Sequence, residues 1–191
     1  MPDLYIIAGP NGAGKTTASF TMLPQIFNVR EFVNADEIAR GLSPFNPESV
    51  SFEAGRIMLQ RINQLVATRK TFAFETTLST RFYVRLIEQC RDEGYKIHLI
   101  FLWLNSPELA IERVKSRVAK GGHNIPEEVI TRRYLKGLQN FVNLFMPICD
   151  EWMVADNSDE KPQTVSKGCG VNIDSVMQTD VWNKILEHGK D

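Results

Sequence analysis

The chain has 191 residues, which suits a single domain over residues 1–191 with a sizeable buried core. Its formal net charge of −1 gives no basic field of the kind that attracts nucleic acid, so we expect no nucleic-acid partner. The three cysteines lack metal or disulfide-framework spacing, and the longest near-apolar run, residues 97–104, is too short to span a bilayer, so we expect a cytoplasmic protein without a membrane partner.

The first motif along the chain is a glycine-rich loop between a predicted strand and a predicted helix. Residues 1–3 lead directly into an apolar strand over residues 3–8, so we expect no signal peptide. The loop reads Gly9-Pro10-Asn11-Gly12-Ala13-Gly14-Lys15-Thr16, and Thr17 follows it. It fills the pattern G-x-x-x-x-G-K-[ST] without a gap.

The chemistry of this loop explains its residues. Glycines let backbone N–H groups approach a polyphosphate, and the start of the following helix adds favourable charge. The lysine of the pattern faces the β- and γ-phosphates, while the hydroxyl binds Mg²⁺. We therefore predict that Gly9–Thr17 binds a nucleotide, that Lys15 also serves catalysis and that Thr16 is a metal ligand.

Strand and helix patterns alternate after the loop. The predicted strands cover about residues 3–8, 31–34, 71–74, 95–104 and 152–155. Helices lie between them, and the helix after the third strand is expected to be capped by Ser79 and ended by Gly94. This alternation predicts an α/β fold, a P-loop NTPase three-layer α/β/α sandwich with a mainly parallel five-stranded sheet and a helical lid.

The second predicted strand ends at an acidic residue, Asp36, which is a candidate general base. It lies where a kinase needs a carboxylate to accept the proton of the acceptor hydroxyl. The alternative is that Asp36 caps the helical turn 37–40. Arg40, at the end of that turn, is a candidate acceptor-binding residue.

The third predicted strand also ends at an acidic residue, Glu75. It could orient the acceptor or hold a metal-bound water, and Thr77 beside it is a further acceptor-binding candidate. The alternative is a carboxylate satisfied by the N–H groups of Thr76 and Thr77. Because ligands of parallel sheets bind beyond the carboxyl ends of the strands, we expect Gly9, Asp36, Glu75 and Asn105 to converge.

A helical lid is predicted over about residues 113–133. Arginines on such a segment can close over phosphates and neutralise charge in the transition state, and the alternative is a solvated basic helix face. The catalytic candidates of this kind are Arg113, Arg117 and Arg133. The pair Gly121-Gly122 would allow a hinge, whereas His123 beside it is weak evidence for any role.

The C-terminal extension covers about residues 158–191. A hairpin is expected around Gly168-Cys169-Gly170, and Asp180 is expected to cap a last helix. The apolar residues of that helix, Trp182 among them, favour packing against the core over a functional role.

The residues of the fourth predicted strand indicate which class of P-loop protein this chain resembles. Residues 98–104 lack the acidic residue expected of a Walker B strand in motor ATPases and GTPases, and no N-K-x-D guanine motif is present. This favours a small-molecule kinase in which Mg²⁺ depends on Thr16 and on substrate-side carboxylates.

The motifs taken together resemble the zeta-toxin family of P-loop kinases over about residues 4–157. The segments that carry the resemblance are the loop at residues 9–17 and the motifs at residues 33–36, 74–78, 121–126 and 132–134. The resemblance implies a kinase that uses ATP or GTP with Mg²⁺. It further implies phosphorylation of the 3′-hydroxyl of the sugar in UDP-N-acetylglucosamine, and a cognate antitoxin protein as partner.

The resemblance also implies roles for particular residues. The lysine of the family's loop, its catalytic aspartate and its glutamate match Lys15, Asp36 and Glu75. One phosphate-neutralising arginine matches Arg113 or Arg117. The position of the second holds His123 and Asn124 in this chain, which leaves Arg132 or Arg133 to substitute.

The sequence therefore supports an ATP-dependent kinase that transfers the γ-phosphoryl group to a hydroxyl of a small molecule, such as a nucleotide sugar. A nucleoside or nucleotide kinase of the same fold is one alternative. A nucleotide-binding module that regulates its partner in a toxin–antitoxin pair is another.

Overall fold

A computed structural model describes residues 1–122 and 124–190, the last without its side chain. The expectation at His123 lies outside the described residues. The chain forms a seven-stranded sheet of order β2-β3-β1-β4-β5-β6-β7. The strands are β1 (Asp3–Ala8), β2 (Phe32–Val33), β3 (Phe72–Thr76), β4 (Lys96–Trp103), β5 (Glu151–Asp156), β6 (Gln163–Cys169) and β7 (Asn172–Val176).

The five strands predicted from the sequence form the parallel part of this sheet. The predicted C-terminal hairpin is also present, but β6 and β7 pair antiparallel with β5 and with each other. The hairpin therefore extends the sheet from the expected five strands to seven.

Seven helices cover the two faces of the sheet within the described residues. They are α1 (Lys15–Gln25), α2 (Ala35–Leu42), α3 (Ser51–Ala67), α4 (Phe82–Asp92), α5 (Pro107–Ala119), α6 (Glu127–Asn140) and α7 (Thr179–Lys190). A 3₁₀ turn at Pro47–Val50 precedes α3, and a π-helical turn at Phe141–Phe145 follows α6. None of these helices is both long and apolar enough to cross a membrane.

The ends of α4 show one wrong and one confirmed prediction. Ser79 does not cap the helix, because its hydroxyl lies 2.8 Å from that of Thr77. The N–H of Phe82 instead donates to the Thr80 hydroxyl at 3.2 Å. Gly94 ends the helix as predicted, with φ of 78° and its N–H donating to the carbonyl of Arg91 at 2.8 Å.

The core lies on both sides of the central strands. β1 and β4 are almost wholly apolar and buried, which is typical of parallel strands covered by helices on both faces. Phe101 of β4 stacks on Phe141 with ring centroids 4.5 Å apart. The close packing of these strands fixes their carboxyl ends, from which the functional loops project.

The C-terminal helix packs against this core. Trp182 of α7 is only 3% exposed and stacks on Trp152 of β5, with ring centroids 5.5 Å apart and planes inclined by 11°. The prediction that the tail packs against the core is confirmed.

Candidate active site

The glycine-rich loop connects β1 to α1 at the carboxyl edge of the sheet. Gly9 has φ of 143°, and a Cβ there would lie 2.2 Å from the carbonyl oxygen of Leu102 on β4. Gly14 has φ of 77°, and a Cβ there would lie 2.9 Å from Nδ2 of Asn157. The loop therefore approaches its neighbours so closely that larger residues at these two positions would displace it.

Lys15 begins α1 and turns back across the loop. Its side chain is 7% exposed, and its Nζ donates to the carbonyl oxygen of Pro10 at 2.9 Å. The same ammonium lies 3.8 Å from Oε1 of Glu75. Burial lowers the pKa of Lys15, while the charges of Glu75 and Asp36 act in the opposite direction.

Glu75 lies beside the loop because β3 is a direct neighbour of β1 in the sheet, with Glu75 in register with Ile7. Its Oε2 accepts a hydrogen bond of 2.8 Å from the Thr16 hydroxyl. The acidic partner of the loop therefore comes from β3. The sequence interpretation looked for a Walker B acid on β4, which flanks β1 on the other side.

The protonation of Glu75 responds to its burial and its neighbours. Burial raises the pKa of its carboxyl, whereas the Lys15 charge and the Thr16 hydrogen bond lower it. The negative charges of Asp36 and Glu37 raise the pKa of Glu75, as burial does. This carboxyl therefore takes up a proton more readily than an exposed glutamate does.

Asp36 lies in the first turn of α2, but it does not cap that helix. The cap is Asn34, whose Oδ1 accepts from the N–H groups of Asp36 at 2.8 Å and Glu37 at 3.3 Å. Asp36 lines a small cavity of about 50 Å³ together with Arg40, Ser51 and Arg117. The alternative reading of Asp36 as the cap is therefore wrong.

Asp36 is electrostatically connected with two cationic candidates. Burial lowers the pKa of both Lys15 and Arg133, and the charge of Asp36 acts in the opposite direction on each. Arg133 sits on α6, which is anchored at the carboxyl end of β4 by a 2.6 Å hydrogen bond from the Tyr134 hydroxyl to the carbonyl of Leu104. The fold thus brings the loop, both acids and Arg133 to one edge of the sheet.

The lid candidates divide into two groups. Arg117 of α5 lines the cavity beside Asp36. The expectation that Arg113 faces phosphates is not supported, because its terminal nitrogens donate to the carbonyls of Asn157 at 2.6 Å and Ser158 at 2.7 Å. In this structure Arg113 instead holds the segment after β5 in place.

The glycine pair of the lid ends a helix in this structure. The N–H of Gly121 donates to the carbonyl of Val118 at 2.9 Å, and that of Gly122 donates to the carbonyl of Arg117 at 2.9 Å. These two bonds form the Schellman arrangement that terminates α5. The glycine pair thus ends α5, and the hinge expected here stays a prediction.

The other acceptor-binding candidates are less central. Arg40 lines the Asp36 cavity, but it is exposed and forms an ion pair of 3.0 Å with Glu37. Thr77 does not line that cavity, and its hydroxyl pairs with Ser79. Asn105, which was expected to converge on the site, is exposed, and its backbone N–H donates to the Ser158 hydroxyl oxygen at 2.9 Å.

Two asparagines in contact with the loop or its acids were not selected from the sequence. Asn34 belongs to the motif at residues 33–36, and an asparagine before a helix is a recognised N-cap signal that could have identified it. Asn157 follows β5, and its Nδ2 donates to the carbonyl of Ala13 at 2.8 Å. Its position after a strand was the only signal that could have identified it.

Comparison with known proteins places this geometry in a family. The family described as Zeta toxin matches residues 1–161. An uncharacterized protein of Haemophilus influenzae is 30% identical over 129 residues, which is 66% of this chain and 88% of that protein.

Two solved structures are similar in fold. A chain of the AvrRxo1-ORF1:-ORF2 complex with ATP has a TM-score of 0.77 and 17% identity, over 97% of this chain and 63% of that chain. A chain from the PezAT toxin–antitoxin system of Streptococcus pneumoniae has a TM-score of 0.66 and 14% identity, over 100% of this chain and 85% of that chain. The present chain thus spans less than two thirds of the AvrRxo1 chain. Because the family match covers most of its residues, the chain belongs to the zeta toxin family.

Proposed function

We propose that this protein is an ATP-dependent kinase that transfers the γ-phosphoryl group to a hydroxyl of a small molecule. The observation that carries the proposal is the convergence of Lys15, the Thr16–Glu75 pair and Asp36 at one edge of the sheet. A phosphate-binding loop, a hydroxyl–carboxylate pair and a second carboxylate are the parts that phosphoryl transfer to an alcohol requires.

The loop and Lys15 would hold the nucleotide. Backbone N–H groups of Gly9–Thr17 would bind the phosphates of ATP or GTP, with the Lys15 ammonium against the β- and γ-phosphates. Its bond to the Pro10 carbonyl keeps that ammonium at the loop.

The residues beside the loop also suit Mg²⁺. Thr16 and Glu75 present a hydroxyl and a carboxylate 2.8 Å apart, and oxygen donors of this kind are the ligands that Mg²⁺ prefers. Thr16 would hold the ion, and Glu75 would orient the Thr16 hydroxyl. When bound, Mg²⁺ neutralises charge on the phosphates.

Asp36 would act as the base that accepts the proton of the acceptor hydroxyl. Its carboxylate lines the cavity with Arg117, and its charge reaches Arg133. These two arginines would neutralise charge on the transferring group, as parts of a lid over residues 113–133. Arg40 at the cavity rim would contact the acceptor.

The family membership supports particular partners. We propose a nucleotide sugar such as UDP-N-acetylglucosamine as the first acceptor to test, followed by nucleosides and nucleotides. Similarity to a chain of the PezAT toxin–antitoxin system supports an antitoxin protein as a second partner.

The deciding experiment compares the unmodified protein with Asp36→Asn. Each is incubated with ATP, Mg²⁺ and either a metabolite extract or a panel of sugar nucleotides and nucleosides, and the products are identified by mass spectrometry. We expect Asp36→Asn to keep its affinity for a fluorescent ATP analogue and to lose about 10²–10⁴-fold of turnover.

The matched control is Asp92→Asn, which removes an exposed carboxylate at the end of α4. It should leave the affinity for the ATP analogue and the turnover unchanged. Near-normal turnover by Asp36→Asn would remove the assigned base. Stable ATP binding by the unmodified protein without a phosphorylated product from any acceptor would favour the regulatory module of a toxin–antitoxin pair.

A further inference from the structure

Asn34 lies where the start of α2 meets the Thr16–Glu75 pair of the candidate site. It lies between β2 and α2, and its side chain is only 6% exposed. Its Nδ2 donates to Oε2 of Glu75 at 2.8 Å and lies 3.5 Å from the Thr16 hydroxyl. Its Oδ1 accepts from the backbone N–H groups of Asp36 and Glu37.

The oxygen and the nitrogen of the Asn34 amide have different hydrogen-bond partners. The Asn34 oxygen accepts hydrogen bonds at the start of α2, where serine and aspartate are about as suitable an N-cap as asparagine and threonine is slightly less so. The nitrogen serves Glu75, and here only a side chain with an N–H donor of this length meets the carboxylate. An asparagine is therefore the short residue that satisfies both neighbours at once.

The Nδ2 of Asn34 holds one particular oxygen of the Glu75 carboxylate in place. Oε2 of Glu75 accepts from both Asn34 and Thr16, while Oε1 faces the Lys15 ammonium at 3.8 Å. Without the Asn34 donor, the carboxylate has one hydrogen bond fewer to hold it at Thr16.

We infer that Asn34 is a positioning residue that couples the metal side of the site to the helix carrying Asp36. The inference rests on the proposed function and adds that nucleotide binding with Mg²⁺ depends on Asn34. Asn34 contributes to nucleotide binding only through the Thr16–Glu75 pair, so it matters when Mg²⁺ is present and not when ATP binds alone.

The test uses Asn34→Ser and Asn34→Thr, which keep a good N-cap and lose the donor to Glu75. The dissociation constant of a fluorescent ATP analogue is measured for the full-length protein with Mg²⁺ and with a chelator. We expect the gain in affinity from Mg²⁺ to fall about tenfold in both variants, as is typical when a residue that orients a metal ligand is lost. Binding with the chelator should stay unchanged.

The matched control is Thr80→Ala, which removes a hydroxyl that accepts from the first N–H of α4, away from the loop. It should lower the melting temperature without changing the gain from Mg²⁺. An unchanged gain in both Asn34 variants overturns the inference, and so does an equal loss in Thr80→Ala. If Asn34→Ser does not fold, Asn34→Thr carries the comparison.

Failure of the proposed function has a different result. In that case the unmodified protein forms no phosphorylated product from any acceptor, although it can still bind the ATP analogue with a gain from Mg²⁺. If the unmodified protein shows the gain and the Asn34 variants keep it, only the inference about Asn34 fails.

Discussion

Asn157 and Ala13 are joined by a hydrogen bond of 2.8 Å that links the end of β5 to the phosphate-binding loop, 144 residues earlier in the chain. The backbone carbonyl of Asn157 accepts from Arg113 at the same time. The loop is therefore held from outside by a segment far away in sequence, and α5 is attached to that segment too.

We predict that Asn157→Ala weakens ATP binding without touching any phosphate-binding group. Loss of one partly buried hydrogen bond is worth about 1 kcal/mol, which corresponds to about a fivefold lower affinity for the ATP analogue. The control is Asn105→Ala, since Asn105 also follows a strand but is exposed. Equal affinities of the two variants, measured by fluorescence titration, would contradict a supporting role for Asn157.

The second prediction concerns pH. Burial raises the pKa of Glu75 above that of an ordinary glutamate, and orientation of the Thr16 hydroxyl for Mg²⁺ requires the ionised form. As the pH falls, Glu75 therefore takes up its proton before exposed carboxylates do. We expect the gain in ATP affinity from Mg²⁺ to decrease as the pH is lowered, with a midpoint above that of an exposed glutamate, while binding with a chelator persists.

The Glu75→Gln variant identifies the titrating group. Because its amide does not titrate, the gain from Mg²⁺ should be small and independent of pH over the same range. A gain that still falls with the same midpoint in Glu75→Gln would assign the titration to another residue. The measurement is a series of ATP-analogue titrations at constant ionic strength.

The third prediction addresses the tail. Trp182→Ala removes a buried ring that stacks on Trp152, so we expect a loss of about 3–5 kcal/mol in the free energy of unfolding. Asn183→Ala, at an exposed position of the same helix, should change stability by less than about 0.5 kcal/mol. Urea unfolding measures both. Similar stabilities of the two variants would show that α7 does not contribute to the core.

The fourth prediction uses the three cysteines. Cys90 and Cys149 are buried, and burial raises the pKa of the Cys90 thiol to about 11 and also raises that of Cys149. Cys169 on β6 is exposed. A colorimetric thiol reagent at neutral pH should therefore modify Cys169 alone in the native protein, and all three thiols in denaturant. Rapid reaction of a second thiol under native conditions would contradict the described packing.

Much of the fold follows from local patterns. The motif at residues 9–17, the apolar runs of β1 and β4 and the glycine that ends α4 each have a local physical cause, and each is present as predicted. The order of strands in the sheet is not local. The sequence selected Glu75 as a strand-end acid, but only the order, with β3 directly beside β1, shows that its carboxylate accepts from the Thr16 hydroxyl.

The differences between the predicted and the observed site residues also arise from contacts that are not local in sequence. Arg113 carries a charge that suits phosphate, but only the three-dimensional path of residues 157–158 shows that two carbonyls occupy its guanidinium. Asn34 and Asn157 are uncharged and short, so nothing in their side-chain chemistry distinguishes them from asparagines of ordinary turns. Their importance comes from the partners that the tertiary structure gives them.

The enclosed Lys15 ammonium also has a consequence for the stability of the folded chain. Without phosphates beside it, this group loses hydration and regains only part of the loss from Pro10 and Glu75. A bound triphosphate would relieve that burden, so the folded population would grow with the supply of nucleotide.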